Sequence, residues 1–112
     1  MIYVASPYSH PRQYVREDRY HAVCRAVVKM IQDGLVVFSP IIHSHVLHDT
    51  YGLGGDWSFW QRIDEHMIDL CEKVVVLKLP GWEESKGIAA EVAYAERVGK
   101  VVEWVEPERI GT

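Results

Sequence analysis

No apolar run in this sequence approaches the roughly 20 residues needed to cross a bilayer, and no stretch repeats or falls into low complexity. Cysteine is scarce. Cys24 and Cys71 lie far apart in helical patterns, which reads as two reduced core thiols rather than a disulfide framework. Positive charge is not in excess: the net charge of −4 leaves no electrostatic footprint for a nucleic acid polymer or an anionic membrane. Also missing are the glycine spacing and Lys-Ser/Thr pair of a Walker A loop, the G-x-G-x-x-G of a dinucleotide site, and H-E-x-x-H. Strand-like sequence from Ile2 onward leaves no room for a charged n-region and signal peptide. The expectation is a cytoplasmic chain whose 112 residues form one domain, with an ordinary 48% apolar and 25% charged composition and enough length for a real core.

What is present alternates between two periodicities. Ile2–Ala5 reads as a short apolar strand, and the turn formers of Ser6–Pro11 follow it. A helix is expected from about Arg12 to Gln32, with Tyr20, Val23, Cys24, Val27, Val28 and Ile31 as its buried stripe and Asp33-Gly34 as its stop. Leu35–Phe38 is a second strand, broken by Ser39-Pro40. Ile41 to Gly55 is expected as a loop or short helix with a mobile tip. Asp56 reads as the N-cap of a helix to about Glu72, with Trp60, Ile63, Met67, Leu70 and Cys71 inward. A last strand spans Val101–Val105, and Pro107 onward is tail.

The most informative stretch runs from Val74 to Glu91. It reads as a buried strand, a loop closed by Pro80-Gly81, and a helix capped by Ser85. That helix is apolar nearly all round, through Ile88, Ala89, Ala90, Val92, Ala93, Ala95 and Val98, and so is expected to be buried. A carboxylate inside it, Glu91, is expensive unless partnered. Gly87, one turn earlier on the same face, leaves space beside it. Four strands alternating with helices predict an α/β fold, a small doubly wound (flavodoxin- or Rossmann-like) parallel sheet of order 2-1-3-4 with helices on both faces. Ligands of such sheets bind beyond the strands' carboxyl ends, where strand order reverses. Ser6, Pro7, Tyr8, His43, Ser85 and Gly87, from the loops at that end, are the candidate substrate contacts.

Several residues admit two uses. Glu91 can serve as nucleophile or as acid/base. Asp64 on the preceding helix either reaches the same cleft or is a surface charge beside Arg62 and Glu65. Tyr3 and Tyr8 flank the end of the first strand. His43, His45 and His48 lack a metal motif and read as hydrogen-bonding or surface side chains, so no metal is expected. Tyr14, Arg16 and Arg19 offer donors to a phosphate or are exposed helix charge. Trp57, Trp60 and Trp82 could stack a base, form a subunit interface or fill the core.

Three segments together, Ile2-Tyr3-Val4-Ala5-Ser6-Pro7, Asp64, and Ser85-x-Gly87-x-x-x-Glu91-x-x-Tyr94-Ala95, resemble the nucleoside 2-deoxyribosyltransferase superfamily, which includes 2′-deoxynucleoside 5′-monophosphate N-glycosidases. The form Gly81-Trp82-Glu83-x-Ser85-x-Gly87 is most similar to an uncharacterised bacterial and phage branch. The resemblance implies that Glu91 attacks C1′ of a deoxyribose, that Tyr3 orients it and that Asp64 binds the sugar, with no cofactor. It also implies a homodimer or homotetramer with a nucleoside or nucleotide as its small-molecule partner. Where the transferases carry an aspartate six residues before the glutamate, this chain has Ser85, as the monophosphate N-glycosidases do. That departure favours hydrolysis or a phosphorylated ligand. It also leaves open a non-catalytic nucleotide-binding or sensing module, and the tryptophans leave open a small interaction protein.

Overall fold

The computed structural model describes residues 1–54 and 56–110; Gly55 of the glycine-rich segment and the last two residues of the tail lie outside them. Four strands, β1 (Ile2–Ala5), β2 (Val37–Phe38), β3 (Lys73–Leu77) and β4 (Val101–Val105), pair in parallel in the order β2-β1-β3-β4. The fold is a small doubly wound α/β sheet. Strand order reverses between β1 and β3, whose register sets Tyr3 opposite Val74 and Ala5 opposite Val76.

The strands alternate faces, and each face has its own core. Tyr3, Ala5, Val74 and Val76 pack with Ile68, Cys71, Ile88 and Ala95 of helices α3 (Trp57–Leu70) and α4 (Lys86–Arg97) and of the α3–β3 connection. Val4, Val75 and Leu77 face the other way, onto Val23, Ala26, Val27 and Met30 of helix α1 (Gln13–Gln32). Because β1 and β3 are covered on both sides, their sequences are nearly continuous apolar runs.

Local chemistry sets the helix starts. Asp56 and Ser85 cap α3 and α4 as their sequences predict, accepting from the N–H of Phe59 and Ile88 at 3.0 and 3.1 Å. Ser39-Pro40, read as a strand break, also begins a helix. Ser39 Oγ accepts from Ile42 N–H at 3.1 Å and Pro40 takes the first turn, so Pro40–Asp49 forms α2. The second strand is shorter than expected, since Leu35 and Val36 are exposed as the chain leaves the positive-φ turn at Gly34. Residues 107–109 of the tail form a 3₁₀ turn.

Three expected stripes are corrected by the burial. On α1 the inward residues are Val23, Ala26, Val27 and Met30, while Val28 and Ile31 are more than half exposed. The three/four spacing admits both sets, and the position of β1 and β3 selects the first. On α3 the stripe is Trp60, Asp64 and Ile68, and Leu70 faces out. On α4 only Ile88, Glu91 and Ala95 are buried; Ala89, Ala93 and Val98 are exposed, so small apolar residues there do not signal burial. Among the described residues, no helix is long and apolar enough to cross a membrane.

The α1 correction is directly measurable. Val23→Ala should lower unfolding stability by about 2 kcal/mol, whereas Ile31→Lys should stay within about 0.5 kcal/mol of wild type. Equal losses in urea titrations of the two variants would restore the stripe expected from the sequence.

Candidate functional site

A cavity of about 690 Å³ opens at the carboxyl ends of β1 and β3, within the range of small-molecule sites. One wall comes from α3 and α4 with the β3–α4 loop, and contributes Trp57, Trp60, Asp64, Gly81, Ser85, Gly87 and Glu91. The facing wall comes from the β1–α1 loop, α1 and α2, and contributes Ser6, Tyr8, His10, Arg19, Ser44 and His48.

Glu91 is 4% exposed, and the hydroxyl of Tyr3 donates to its Oε2. The strand alternation that sends Tyr3 toward α3 and α4 makes this bond, and Tyr3 itself is fully buried. Burial drives the Glu91 carboxyl up from its ordinary 4.5 to about 8; the hydrogen bond from Tyr3 opposes the shift and the nearby Asp64 carboxyl adds to it. Burial alone takes Asp64, 8% exposed, to about 7. Asp64 is therefore part of the cavity and not a surface charge. Burial, with the Glu91 charge next in weight, raises the Tyr3 phenol well above its ordinary range, so Tyr3 acts as a hydrogen-bond donor throughout.

The other expected contacts divide. Ser6 lines the cavity, and its buried Oγ has no hydrogen-bond partner among the described residues. Ser85 lines it as well, with its oxygen engaged in capping and its hydroxyl hydrogen left to donate. Gly87 opens space: an added Cβ would meet only Ser85 Oγ, at 3.8 Å. Pro7 is fully buried and does not line this cavity. His43 is not brought to the cavity. It sits exposed with its ring 5.9 Å from that of Phe38, because α2 turns Ser44 and His48 inward in its place.

The family model described as Domain of unknown function (DUF1937) matches residues 1–106. The chain belongs to that family. No curated protein matches the chain.

In this DUF1937 domain, Arg16 and Arg19, which the sequence offered as phosphate donors or as exposed helix charge, are partly buried and hydrogen-bonded, while Tyr14 is exposed. Arg19 lines the cavity, donates to the carbonyl of Ser9 at 2.9 Å, and lies where a Cβ on Gly81 (φ +96°) would meet it. Arg16 donates to both oxygens of Asp49 and to the carbonyl of His10. His45, 3% exposed, lies between Glu17 and the Tyr8 hydroxyl at 3.0 and 2.7 Å, and stacks on Tyr20. Glu17, His45 and Asp49 bring three metal-type donors together, but Tyr8, Arg16 and His48 already engage them, and a cation would have to displace a guanidinium. Of the tryptophans, Trp60 is core and cavity wall, its indole N–H held by the Gly54 carbonyl at 2.7 Å. Trp82 lies outside the cavity, 5.7 Å from Trp104 and beneath Lys78.

The Glu91 shift has a consequence for stability. A carboxyl whose pKa is raised by folding binds its proton more tightly in the folded chain than in the unfolded one. Its contribution is therefore full below about pH 4.5 and is lost as pH rises through about 8. Glu91→Gln, which keeps an acceptor for Tyr3, should lose this pH dependence. Thermal unfolding between pH 5 and 9 should show the variant gaining on wild type toward the alkaline end; parallel curves would rule out a buried, proton-holding Glu91.

Proposed function

We propose that this domain cleaves or transfers the N-glycosidic bond of a nucleoside, deoxynucleoside or nucleoside 5′-monophosphate, with Glu91 as the nucleophile. The observation that carries the reading is a buried carboxyl in a cavity wall, oriented by one phenol and accompanied by a second acid. A structural carboxylate gains nothing from that placement, since an apolar side chain would pack there at lower cost. The resemblance to the nucleoside 2-deoxyribosyltransferase superfamily supports the same roles for Tyr3, Asp64 and Glu91.

In the first step a Glu91 oxygen bonds to C1′ as the bond from C1′ to the base nitrogen breaks. In the second, water or an acceptor base displaces the glutamate and frees the sugar. Tyr3 holds the attacking carboxylate, and Asp64 faces the sugar hydroxyls. Gly87, with its open face, leaves room for the pentose. A 5′-phosphate is supported by Arg19, Lys86 and the first turn of α4, all of which line the cavity.

A second reading, a nucleotide-binding or sensing module, is favoured by the Glu91 proton. A carboxyl near pKa 8 is largely neutral at pH 7 and can donate to a ligand without attacking it.

Intact-mass spectrometry and chromatography after incubation with pooled nucleosides and 5′-monophosphates separate the two. Wild type should release free base and carry a sugar adduct, and Glu91→Ala, still folded, should do neither. Base release by Glu91→Ala at the wild-type rate would sink the nucleophile. Saturable nucleotide binding with no base release by either protein would favour the sensing module.

A further inference from the structure

Resting on the glycosidic reading, a second question concerns the leaving base. A purine or pyrimidine nitrogen departs poorly as an anion, so the reaction needs a proton delivered to the base as the bond to C1′ breaks. Displacement at C1′ puts nucleophile and leaving nitrogen on opposite faces of the sugar. Glu91 stands on the α4 wall, with Asp64 beside it on α3. A donor on the facing wall would stand on the side of the leaving nitrogen.

Besides the guanidinium of Arg19, which keeps its proton, that wall presents Tyr8, His10 and His48 to the cavity. Tyr8 is ill suited, because its hydroxyl is 2.7 Å from His45 Nδ1 and 3.3 Å from Asp49. His10 accepts the Arg12 backbone N–H at its Nδ1, at 3.1 Å. A ring that accepts at one nitrogen carries its single proton on the other, and giving that proton away would leave an imidazolate. His48 is arranged the opposite way. Its Nδ1 lies 2.6 Å from Asp49 Oδ1. A carboxylate only accepts, so Nδ1 carries a proton and Nε2 is the nitrogen left to gain or lose one.

We infer that His48 is the general acid that protonates the departing base, and the general base that then activates water, with Asp49 as its positioning residue. Asp49 is fit for that task. Its side chain is 3% exposed, and Arg16 donates to it from α1 through Nε at 3.2 and 3.4 Å. Burial disfavours its charge, but the hydrogen bonds from His48 and Arg16 outweigh burial and hold the carboxyl below its ordinary range. The groups around His48 are thus Tyr8 and His10 from the β1–α1 loop, Arg16 from α1, and Asp49 from its own helix, with His45 on the far side of Asp49.

The steps balance. A Glu91 oxygen bonds to C1′, the C1′–N bonding pair leaves with the base, and the Nε2 proton of the His48 imidazolium joins it. Neutral His48 then takes a proton from water as the water oxygen bonds to C1′ and the bond to Glu91 breaks. The carboxylate and the imidazolium are both restored.

The test uses 2′-deoxyguanosine and 7-methyl-2′-deoxyguanosine, each also as its 5′-monophosphate. The methylated base carries its own positive charge and leaves as a neutral molecule, needing no proton. In single turnover, with enzyme in excess so that only the first step is read, His48→Asn should lower guanine release by about 10²–10⁴-fold and 7-methylguanine release by about threefold or less. Asp49→Asn should show the same selectivity with a smaller loss. Circular dichroism checks the fold, and His48→Gln is the second variant if His48→Asn unfolds. Equal losses on both substrates, or no loss on either, would overturn the assignment while leaving Glu91 standing. Selective loss in Asp64→Asn but not in His48→Asn would move the acid to Asp64. No base release by wild type from any of the four compounds would overturn the glycosidic reading itself and this assignment with it.

Discussion

The hydrogen bond from Tyr3 to Glu91 ties the second residue of β1 to the middle of α4, 88 positions along the chain. It sits in the apolar layer between the sheet and helices α3 and α4, among Ile68, Val74, Val76, Ile88 and Ala95. A carboxyl placed there with no donor would carry its full desolvation cost, so the bond constrains everything that positions its two ends. A one-residue slip of β1 would present Val4 in place of Tyr3 and strip the carboxyl of its donor. A turn of α4 by one position would put Val92 under the sheet and Glu91 at the helix flank. The parallel register of β1 on β3 and the Ser85 cap hold both ends fixed.

The two walls of the cavity differ in chemistry, and the difference follows from topology. The wall built by α3 and α4 carries acids that burial biases toward their protonated forms. The wall built by α1, α2 and the β1–α1 loop carries guanidinium and imidazole groups ordered by Asp49 and Glu17. Strand order reverses between β1 and β3, so the helices flanking that point lie on opposite faces of the sheet and leave the crevice between them. Arg19, hydrogen-bonded to the β1–α1 loop and packed over Gly81, links the loops of the two walls.

Sheet order, the caps at Asp56 and Ser85, and the singular status of Glu91 were legible because each rests on local chemistry or on a period the chain repeats. Other features depend on what lies opposite. The α1 pattern fits two stripes, and only the sheet tells Val23 from Ile31. Ser39-Pro40 breaks a strand and starts a helix with the same two residues, so the sequence left what followed open between a loop and a short helix. The helix, α2, is what sets the direction of each histidine: His43 points out, His45 is buried against Glu17, and His48 reaches the cavity. Asp64 had no local signal at all. Its charge fits a helix surface, and only the packing of α3 on α4 places it beside Glu91.

The raised Glu91 pKa looks at first like an obstacle to nucleophilic attack, because burial favours the neutral acid. Under the proposed chemistry it works the other way. Positive charge develops at C1′ as the base departs, and a carboxylate shielded from water meets that charge with little screening. The desolvation that makes the anion costly in the resting site makes it most strongly attracted to the transition state. Only an interaction that strengthens between ground and transition state accelerates the chemical step. Tyr3 limits the resting cost by donating one hydrogen bond, while Asp64 and the apolar layer keep that cost from vanishing. A more exposed glutamate would ionise readily and hold its charge against water, and its attraction to C1′ would be correspondingly weak.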